Sequence, residues 1–292
     1  MNPFSGTGVA LITPFSEDLQ VDVPALRRVT RNMIQGKIEY LVILGTTGES
    51  ATLTAEEQTL VIETILEEND GELPIVLGVG GNNTASVCKK AEAWSKQYKP
   101  AAVLSVSPYY NKPSQEGIYQ HYKALASSTD ASIILYNVPG RTASNVSAET
   151  TLRLAHDVEN IVAMKEASGD IDQVMQIIAG RPQGFSLLSG DDHLVLPYVS
   201  LGGDGIISVT ANAFPAKFSQ MVRAALSGDW EQARKFHFEM LPLTKLNFAE
   251  GNPVGVKTLM ELLGTCKSEV RLPLVKGTDA LIRKMQAELS LA

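Results

Sequence analysis

A lysine stands at the end of an apolar run in the segment "NIVAMKEASG", residues 160–169. Side chains of a strand alternate between two faces, so Ile161, Ala163 and Lys165 are expected to share one face. An ammonium group buried there costs desolvation free energy unless the protein uses it. Taken alone, the segment favours a lysine that reaches solvent or pairs with Glu166. The reactive alternative is a buried amine that loses its proton and attacks a carbonyl carbon.

Other apolar runs of the chain also end in polar side chains that could take part in such chemistry. Each of these residue types has an ordinary structural use, because threonines cap turns, tyrosines fill cores or interfaces, and an arginine after Pro-Gly can decorate a turn. Their recurrence at the ends of successive runs is therefore what indicates a site. The candidates are Thr46 and Thr47 in "LGTTGESAT", Tyr109 and Tyr110 in "SPYYNKPSQEG", and Tyr136 and Arg141 in "LYNVPGRT".

Several motifs predict structure rather than chemistry. Asp191 and Asp192 in "SGDD" are expected to be the N-cap and first turn of a helix, with no catalytic role. The segment "GVGGNN" does not match the dinucleotide fingerprint, and the last two strand-end loops of the barrel proposed below carry no lysine or arginine for a phosphate. The four histidines lie far apart without metal-ligand spacing. We therefore expect no cofactor and no metal.

The elements that must position these residues alternate regularly along the chain. Nearly continuous apolar runs, as in buried parallel strands, are separated by amphipathic segments with helix start signals. Eight such strand–helix pairs predict a (β/α)8 TIM barrel, whose active site lies at the C-terminal ends of the strands. A doubly wound open sheet is the competing architecture, and it would require a glycine fingerprint after the first strand. The predicted strands are Gly8–Ile12, Tyr40–Leu44, Pro74–Gly78, Ala101–Val106, Ser132–Asn137, Asn160–Glu166, Phe185–Gly190 and Gly205–Thr210.

Helix boundaries follow from capping residues. Thr54 with Glu57 three residues later fits a capping box, and Ser114 and Ser147 open helices in a similar way. The chain after about residue 229 reads as three helices with no flexible linker before them. We therefore predict a catalytic barrel over residues 1–225 and a C-terminal helical extension over residues 226–292 packed on it.

Composition excludes several classes of protein. The chain has 292 residues and a net charge of −7 without a basic cluster, which argues against a nucleic-acid partner. It shows no signal-peptide pattern at its start and no apolar stretch long enough for a bilayer, so no membrane association is expected. Its two cysteines, Cys88 and Cys266, are far apart and read as reduced thiols of a cytoplasmic protein.

Five ordered motifs, "GTTGES", "SPYYNKPSQEG", "YNVPGRT", "AMKEASG" and "SGDD", closely resemble the dihydrodipicolinate synthase family. The likeness continues into "NPVGVKTLMELLG" and so covers nearly the whole chain. The wider superfamily comprises pyruvate-dependent class I aldolases and lyases. The resemblance implies a lyase of lysine and diaminopimelate biosynthesis that condenses pyruvate with L-aspartate-4-semialdehyde to 4-hydroxy-tetrahydrodipicolinate through a lysine Schiff base.

The resemblance also implies a role for each matching residue. Lys165 forms the Schiff base, Tyr136 handles protons beside it, and Thr46 and Tyr110 complete a proton relay. Thr47, Gly190 and Ile207 bind pyruvate, the latter two through their backbones, and Arg141 binds the semialdehyde carboxylate. The family assembly is a homotetramer, a dimer of tight dimers in which Tyr110 crosses the tight interface.

Two further expectations concern regulation and the competing functions. Ala55, Gln58 and Ser86 stand where lysine-inhibited relatives carry more polar or acidic residues, which predicts weak or absent feedback by lysine. The alternative activity is a pyruvate-dependent aldolase acting on a sugar acid, such as an N-acetylneuraminate lyase. A third possibility is a catalytically silent barrel that binds a keto acid.

Overall fold

The computed structural model describes residues 4–291 and contains the eight predicted strands, each within a few residues of its predicted bounds. They are paired in chain order into a closed barrel of parallel strands, which confirms the (β/α)8 prediction. The strands are β1 (Gly6–Ala10), β2 (Tyr40–Ile43), β3 (Ile75–Gly78), β4 (Ala102–Val106), β5 (Ser132–Asn137), β6 (Ile161–Glu166), β7 (Ser186–Ser189) and β8 (Gly205–Ser208).

Helices alternate with the strands and continue beyond the last one. Three of them, α10 to α12, lie in the range of the expected C-terminal extension. The helices are α1 (Val23–Gln35), α2 (Ala55–Asn69), α3 (Thr84–Tyr98), α4 (Gln115–Ser127), α5 (Pro139–Thr142), α6 (Ala148–Asp157), α7 (Ile171–Gly180), α8 (Val195–Ser200), α9 (Pro215–Leu226), α10 (Trp230–Ala249), α11 (Val254–Leu262) and α12 (Asp279–Leu289).

The predicted helix starts are confirmed at atomic detail. The Thr54 hydroxyl accepts the Glu57 amide at 3.2 Å, and the Glu57 carboxylate accepts the Thr54 amide at 2.9 Å. Ser114 and Ser147 accept amides from the first turns of α4 and α6. These caps begin helices at fixed residues, and so they fix the lengths of the loops that precede them.

Asp191 and Asp192 lie where predicted, at the N-cap and in the first turn of a helical segment, although that segment is a short 3-10 turn. Asp191 does occupy the residue before a 3-10 turn, Asp192–Leu194, but its carboxylate makes no capping hydrogen bond. The regular helix α8 begins only at Val195.

Backbone contacts divide the chain into two compact units, one with residues 74–207 and one with residues 6–73 and 208–291. The first unit contains β3 to β7, most of β8 and the helices between them. Its strands are apolar on both faces because each strand lies between the barrel interior and a helix. The expected division at residues 225 and 226 stays a prediction; residue 226 is the last of α9.

The second unit contains β1, β2 and the C-terminal helices. There α10, α11 and α12 share a core built from Leu243, Leu259, Leu281 and Met285. In the part of the chain that the structure describes, no helix combines the length and apolarity needed to span a bilayer.

Candidate active site

Lys165 and Tyr136 meet at the C-terminal ends of two neighbouring strands. The β5–β6 register pairs Tyr136 with Lys165, so both side chains leave the sheet on the same face. The Lys165 Nζ lies 4.4 Å from the centroid of the Tyr136 ring. Lys165 is 5% exposed and Tyr136 8% exposed. The structure thus brings the two principal candidates into direct contact in a nearly dry setting.

The strand pairing departs from regular alternation just before this pair. Ile133 is in register with Ile161, but the next residue, Ile134, is in register with Ala163. The extra residue is Val162. Alternation therefore holds from Ala163 to Lys165, and the prediction that Ile161 also shares the Lys165 face is wrong. Such an irregularity re-aims the residues that follow it.

Burial lowers the pKa of Lys165 to about 8, while Asp192 and Asp191 raise it and Arg141 lowers it further. At that pKa roughly 10% of the amine is neutral at pH 7, compared with well under 0.1% for an ordinary lysine. Burial also raises the pKa of Tyr136 to about 12, with Arg141 lowering it and Asp191 raising it. A partly neutral amine therefore faces a fully protonated phenol.

Glu166 does not pair with Lys165, because successive strand residues point to opposite faces. Its carboxylate is fully buried and accepts hydrogen bonds from the Asn137 side chain at 3.0 Å, the Gln173 side chain at 2.8 Å and the Ser168 amide at 2.7 Å. Glu166 is therefore not the partner of Lys165, whose described interactions are with the Tyr136 ring and with the charges of Asp192, Asp191 and Arg141.

Asn137 and Glu166 were not predicted as site residues, yet they fix the strand ends that carry Tyr136 and Lys165. Asn137 Nδ2 bridges both carboxylate oxygens of Glu166, and Asn137 Oδ1 accepts the Val146 amide at 2.9 Å. This network ties β5 to β6 and to the loop after α5. The signal in the sequence was a polar residue directly after each candidate, in "YN" and "KE".

Gly190 follows β7 and approaches β6 closely. Its amide donates to the Glu166 carbonyl at 2.7 Å. A side chain there would place a Cβ 2.5 Å from the Cβ of Ala167, so only glycine fits. Its carbonyl is then the group left for a ligand. Ile207 is fully buried within β8.

Arg141 and Tyr110 lie outside the buried pair. Arg141 is exposed on α5, but its charge acts on both Lys165 and Tyr136. Tyr110 is 88% exposed in the loop after β4 and has a φ of +75°, a left-handed conformation that costs on the order of 1 kcal/mol for a non-glycine residue. Its ring is therefore not packed into the cluster of its own chain.

Thr46 and Thr47 lie in the second unit, in the loop directly after β2. Thr46 is exposed, whereas Thr47 is buried and its hydroxyl accepts a hydrogen bond from Asn252 Nδ2 at 2.9 Å. The Gly48 carbonyl accepts from the Thr13 hydroxyl at 2.7 Å. The predicted alternative, threonines that cap a turn, is not the use made of the Thr47 side chain.

A parallel barrel with a buried, low-pKa lysine at a strand end is typical of lyases that join carbonyl compounds through an imine. The family model described as the Dihydrodipicolinate synthetase family matches residues 3–292, and the chain belongs to this family.

Individual relatives agree with the family match. A protein of Flavobacterium psychrophilum named 4-hydroxy-tetrahydrodipicolinate synthase is 50% identical over 285 residues, which are 98% of this chain and 97% of that protein. The dihydrodipicolinate synthase structure from Thermotoga maritima has a TM-score of 0.96 at 38% identity, covering 99% of this chain and 98% of that one. A synthase from Acinetobacter baumannii, solved in complex with pyruvate, has a TM-score of 0.94 at 37% identity, with 98% of each chain covered.

Proposed function

We propose that this protein is a lyase that condenses pyruvate with L-aspartate-4-semialdehyde to give 4-hydroxy-tetrahydrodipicolinate. Family membership and relatives of that name support the reaction. The observation that carries the proposal within the chain is the buried Lys165 amine, whose pKa of about 8 makes it a nucleophile near neutral pH.

The first step forms the imine. The neutral Lys165 amine attacks the keto carbon of pyruvate, and the resulting carbinolamine loses its hydroxyl as water. The Tyr136 ring lies beside this amine, and its hydroxyl, protonated because of the raised pKa, is assigned to donate the proton that the departing oxygen needs. The positive iminium nitrogen then withdraws electrons, so that a methyl proton leaves and an enamine forms.

The second step joins the substrates. The enamine carbon attacks the aldehyde carbon of the semialdehyde, and the new alkoxide takes up a proton. The amino group of the semialdehyde then attacks the imine carbon and displaces Lys165, which closes the ring and regenerates the free amine. One water is released overall, in the first step, and no oxidant or reductant is consumed.

The carboxylates of the substrates need hydrogen-bond donors other than Lys165, so that the Lys165 amine stays free to react. We assign the pyruvate carboxylate to Thr47, with backbone groups of Gly190 and Ile207 lining the pocket. Arg141 is assigned to the semialdehyde carboxylate, since a guanidinium offers a fork of donors and its exposure places it where a second substrate can arrive. Thr46 and Tyr110 are assigned to the proton relay.

The exposed Tyr110 supports an assembly in which this residue serves a neighbouring copy. A large aromatic side chain held outward by a strained backbone has little to gain from solvent. We propose that Tyr110 enters the site of a partner subunit in a tight dimer, that two such dimers form a homotetramer, and that the protein works in the cytoplasm.

Borohydride reduction tests the proposed imine. Incubation with pyruvate and borohydride is expected to fix one pyruvate-derived group on Lys165, located by peptide mass mapping, and Lys165→Met is expected to remove it. If the unsubstituted protein forms no adduct, the proposed lyase is refuted and the catalytically silent barrel that binds a keto acid remains. Two activity assays then identify the second substrate: one measures condensation of pyruvate with the semialdehyde, and the other measures cleavage of N-acetylneuraminate.

A further inference from the structure

The C-terminal extension holds the loop that contains Thr46 and Thr47 through buried polar contacts. Asn252, just before α11, donates from Nδ2 to the Thr47 hydroxyl at 2.9 Å. Asn252 is 8% exposed and Thr47 is 2% exposed, so water does not compete freely for this bond. The two residues are 205 positions apart in sequence.

A buried ion pair fixes α11 to the same loop. Lys257 Nζ lies 2.5 Å from Glu49 Oε1, and both residues are buried. Lys257 also donates to the Glu269 carbonyl at 2.9 Å, and Glu49 Oε2 accepts the Arg271 amide at 3.1 Å. The Glu49 carboxylate is thus held by both of its oxygens, on a backbone with a φ of +52°. Asn252 therefore directly precedes a helix whose position relative to the loop is fixed.

The direction of the Asn252–Thr47 bond has a chemical consequence. A hydroxyl carries one proton and two acceptor sites. Since the amide donates to Thr47, the Thr47 proton stays free to be donated to another group. A carboxylate accepts only, and it is therefore the kind of ligand that this arrangement suits.

The amide oxygen of Asn252 contributes unfavourably to the free energy of folding. This Oδ1 atom is buried and has no hydrogen-bond partner among residues 4–291. A buried unpaired acceptor is unfavourable and is retained where another requirement outweighs it. The donation to Thr47 is such a requirement.

We propose that Asn252 is a positioning residue that orients the Thr47 hydroxyl to donate to the carboxylate of the keto acid, with Lys257 and Glu49 holding it in register. This inference rests on the proposed function. It adds the C-terminal extension to the parts of the chain that determine the affinity for pyruvate.

The test measures the pyruvate concentration that gives half-maximal borohydride trapping on Lys165. Asn252→Asp keeps the shape but replaces the donor with an acceptor, which takes up the Thr47 proton and adds a negative charge. We expect this variant to need about 10–100-fold more pyruvate, the range for a lost hydrogen bond to a charged group. Turnover at saturating pyruvate should change much less.

Three further variants distinguish loss of the Thr47 orientation from general destabilisation of the protein. Asn69→Asp is the matched control, because Asn69 is also a buried asparagine that donates from its amide, to the Leu73 carbonyl, and it lies outside the site. Its half-saturation should match that of the unsubstituted protein. Asn252→Ala, which adds no charge, should shift half-saturation in the same direction by less, and it serves if Asn252→Asp does not fold. The combination Thr47→Val with Asn252→Ala should resemble Thr47→Val alone, since one residue acts through the other.

The outcomes are distinct. Unchanged half-saturation in both Asn252 variants, an equal shift in Asn69→Asp, or additive effects with Thr47→Val would each overturn the inference while leaving the imine intact. Failure of the unsubstituted protein to trap pyruvate would instead overturn the proposed function, and this inference with it.

Discussion

At the scale of single residues, burial moves two adjacent groups in opposite directions. It lowers the pKa of Lys165 and raises that of Tyr136, because it disfavours the charged form of each. The pair therefore presents a neutral amine and a neutral phenol together over a wide range of pH. The proposed reaction would thus have a nucleophile and a proton donor without a charged base beside the iminium.

The dependence of imine formation on pH follows from these shifts. At subsaturating pyruvate, the rate of borohydride trapping should rise as the pH increases through about 8 and then level off, because the ammonium loses its proton there. Asp191 raises the Lys165 pKa, so Asp191→Asn should move the rise of the trapping rate to lower pH. If this rise stays at the same pH or moves to higher pH, Asp191 does not have the electrostatic role assigned to it.

Arg141 should discriminate between the two substrates. We expect Arg141→Ala to raise KM for the semialdehyde by about tenfold or more, because a charge-assisted hydrogen bond is lost, with a smaller effect on KM for pyruvate. Steady-state kinetics with each substrate varied in turn provides the measurement. Arg153→Ala, which removes another exposed arginine paired with Glu116, is the control. If KM rises equally for both substrates, Arg141 does not bind the semialdehyde carboxylate specifically.

At the scale of elements, the loop after β2 depends on a helix near the other end of the chain. The Lys257–Glu49 pair is fully enclosed, and burial lowers the Lys257 pKa while Glu49 opposes that shift. An ion pair of this kind is weak evidence for net stability, but either half left alone is strongly unfavourable.

Lys257→Met should therefore lower the free energy of unfolding by about 3–5 kcal/mol, since it strands the Glu49 charge in the interior. Equilibrium unfolding in urea gives the measurement. Lys96→Met is the control, because Lys96 forms an exposed pair with Glu92 and should show little change. Adding Glu49→Gln to Lys257→Met should restore part of the loss. An effect of Lys257→Met as small as that of the control would show that the pair is not buried in solution.

At the scale of the whole molecule, the exposed Tyr110 predicts that active sites are shared between subunits. Lys165→Ala and Tyr110→Phe variants should each have low activity when pure. After subunit exchange in an equal mixture, roughly a quarter of the sites would combine an intact Lys165 with an intact Tyr110 from the partner subunit, and activity should rise accordingly. No gain on mixing, with exchange verified by mass, would place Tyr110 in the site of its own chain.

Regulation is also expected to differ from that of lysine-inhibited relatives. A cavity of about 180 Å³ is lined by Asn82, Asn83, Ser86 and Lys90, together with Gly80, Gly81 and Val87. Its ionisable lining residue is a lysine, and Ser86 supplies no carboxylate for an ammonium ligand. We expect millimolar lysine to leave the condensation rate unchanged. The Ser86→Glu substitution should make the protein sensitive to inhibition by lysine. Marked inhibition of the unsubstituted protein by lysine would refute the expectation.

Local patterns were sufficient for the barrel and for most of the site. Strand periodicity, helix caps and polar residues at strand ends act over a few neighbours, and a parallel barrel gathers strand C-termini on one face. Lys165 and Tyr136 could therefore be singled out together before their contact was seen. The prediction failed where one extra residue, Val162, shifts the register of β6, because an irregularity of this kind leaves no periodic signal.

The sequence by itself determined the architecture and singled out Lys165 as the candidate nucleophile, since both follow from short-range patterns and chemical type. Only the tertiary structure decided the lowered pKa of Lys165, the proximity of Asp191 to it, the turning of Glu166 toward Asn137, and the contacts of Asn252 and Lys257 with the β2 loop. Each of these depends on burial or on residues far apart in the chain, up to 208 positions for Lys257 and Glu49. Dielectric environment and long-range packing belong to the folded state and have no local signature.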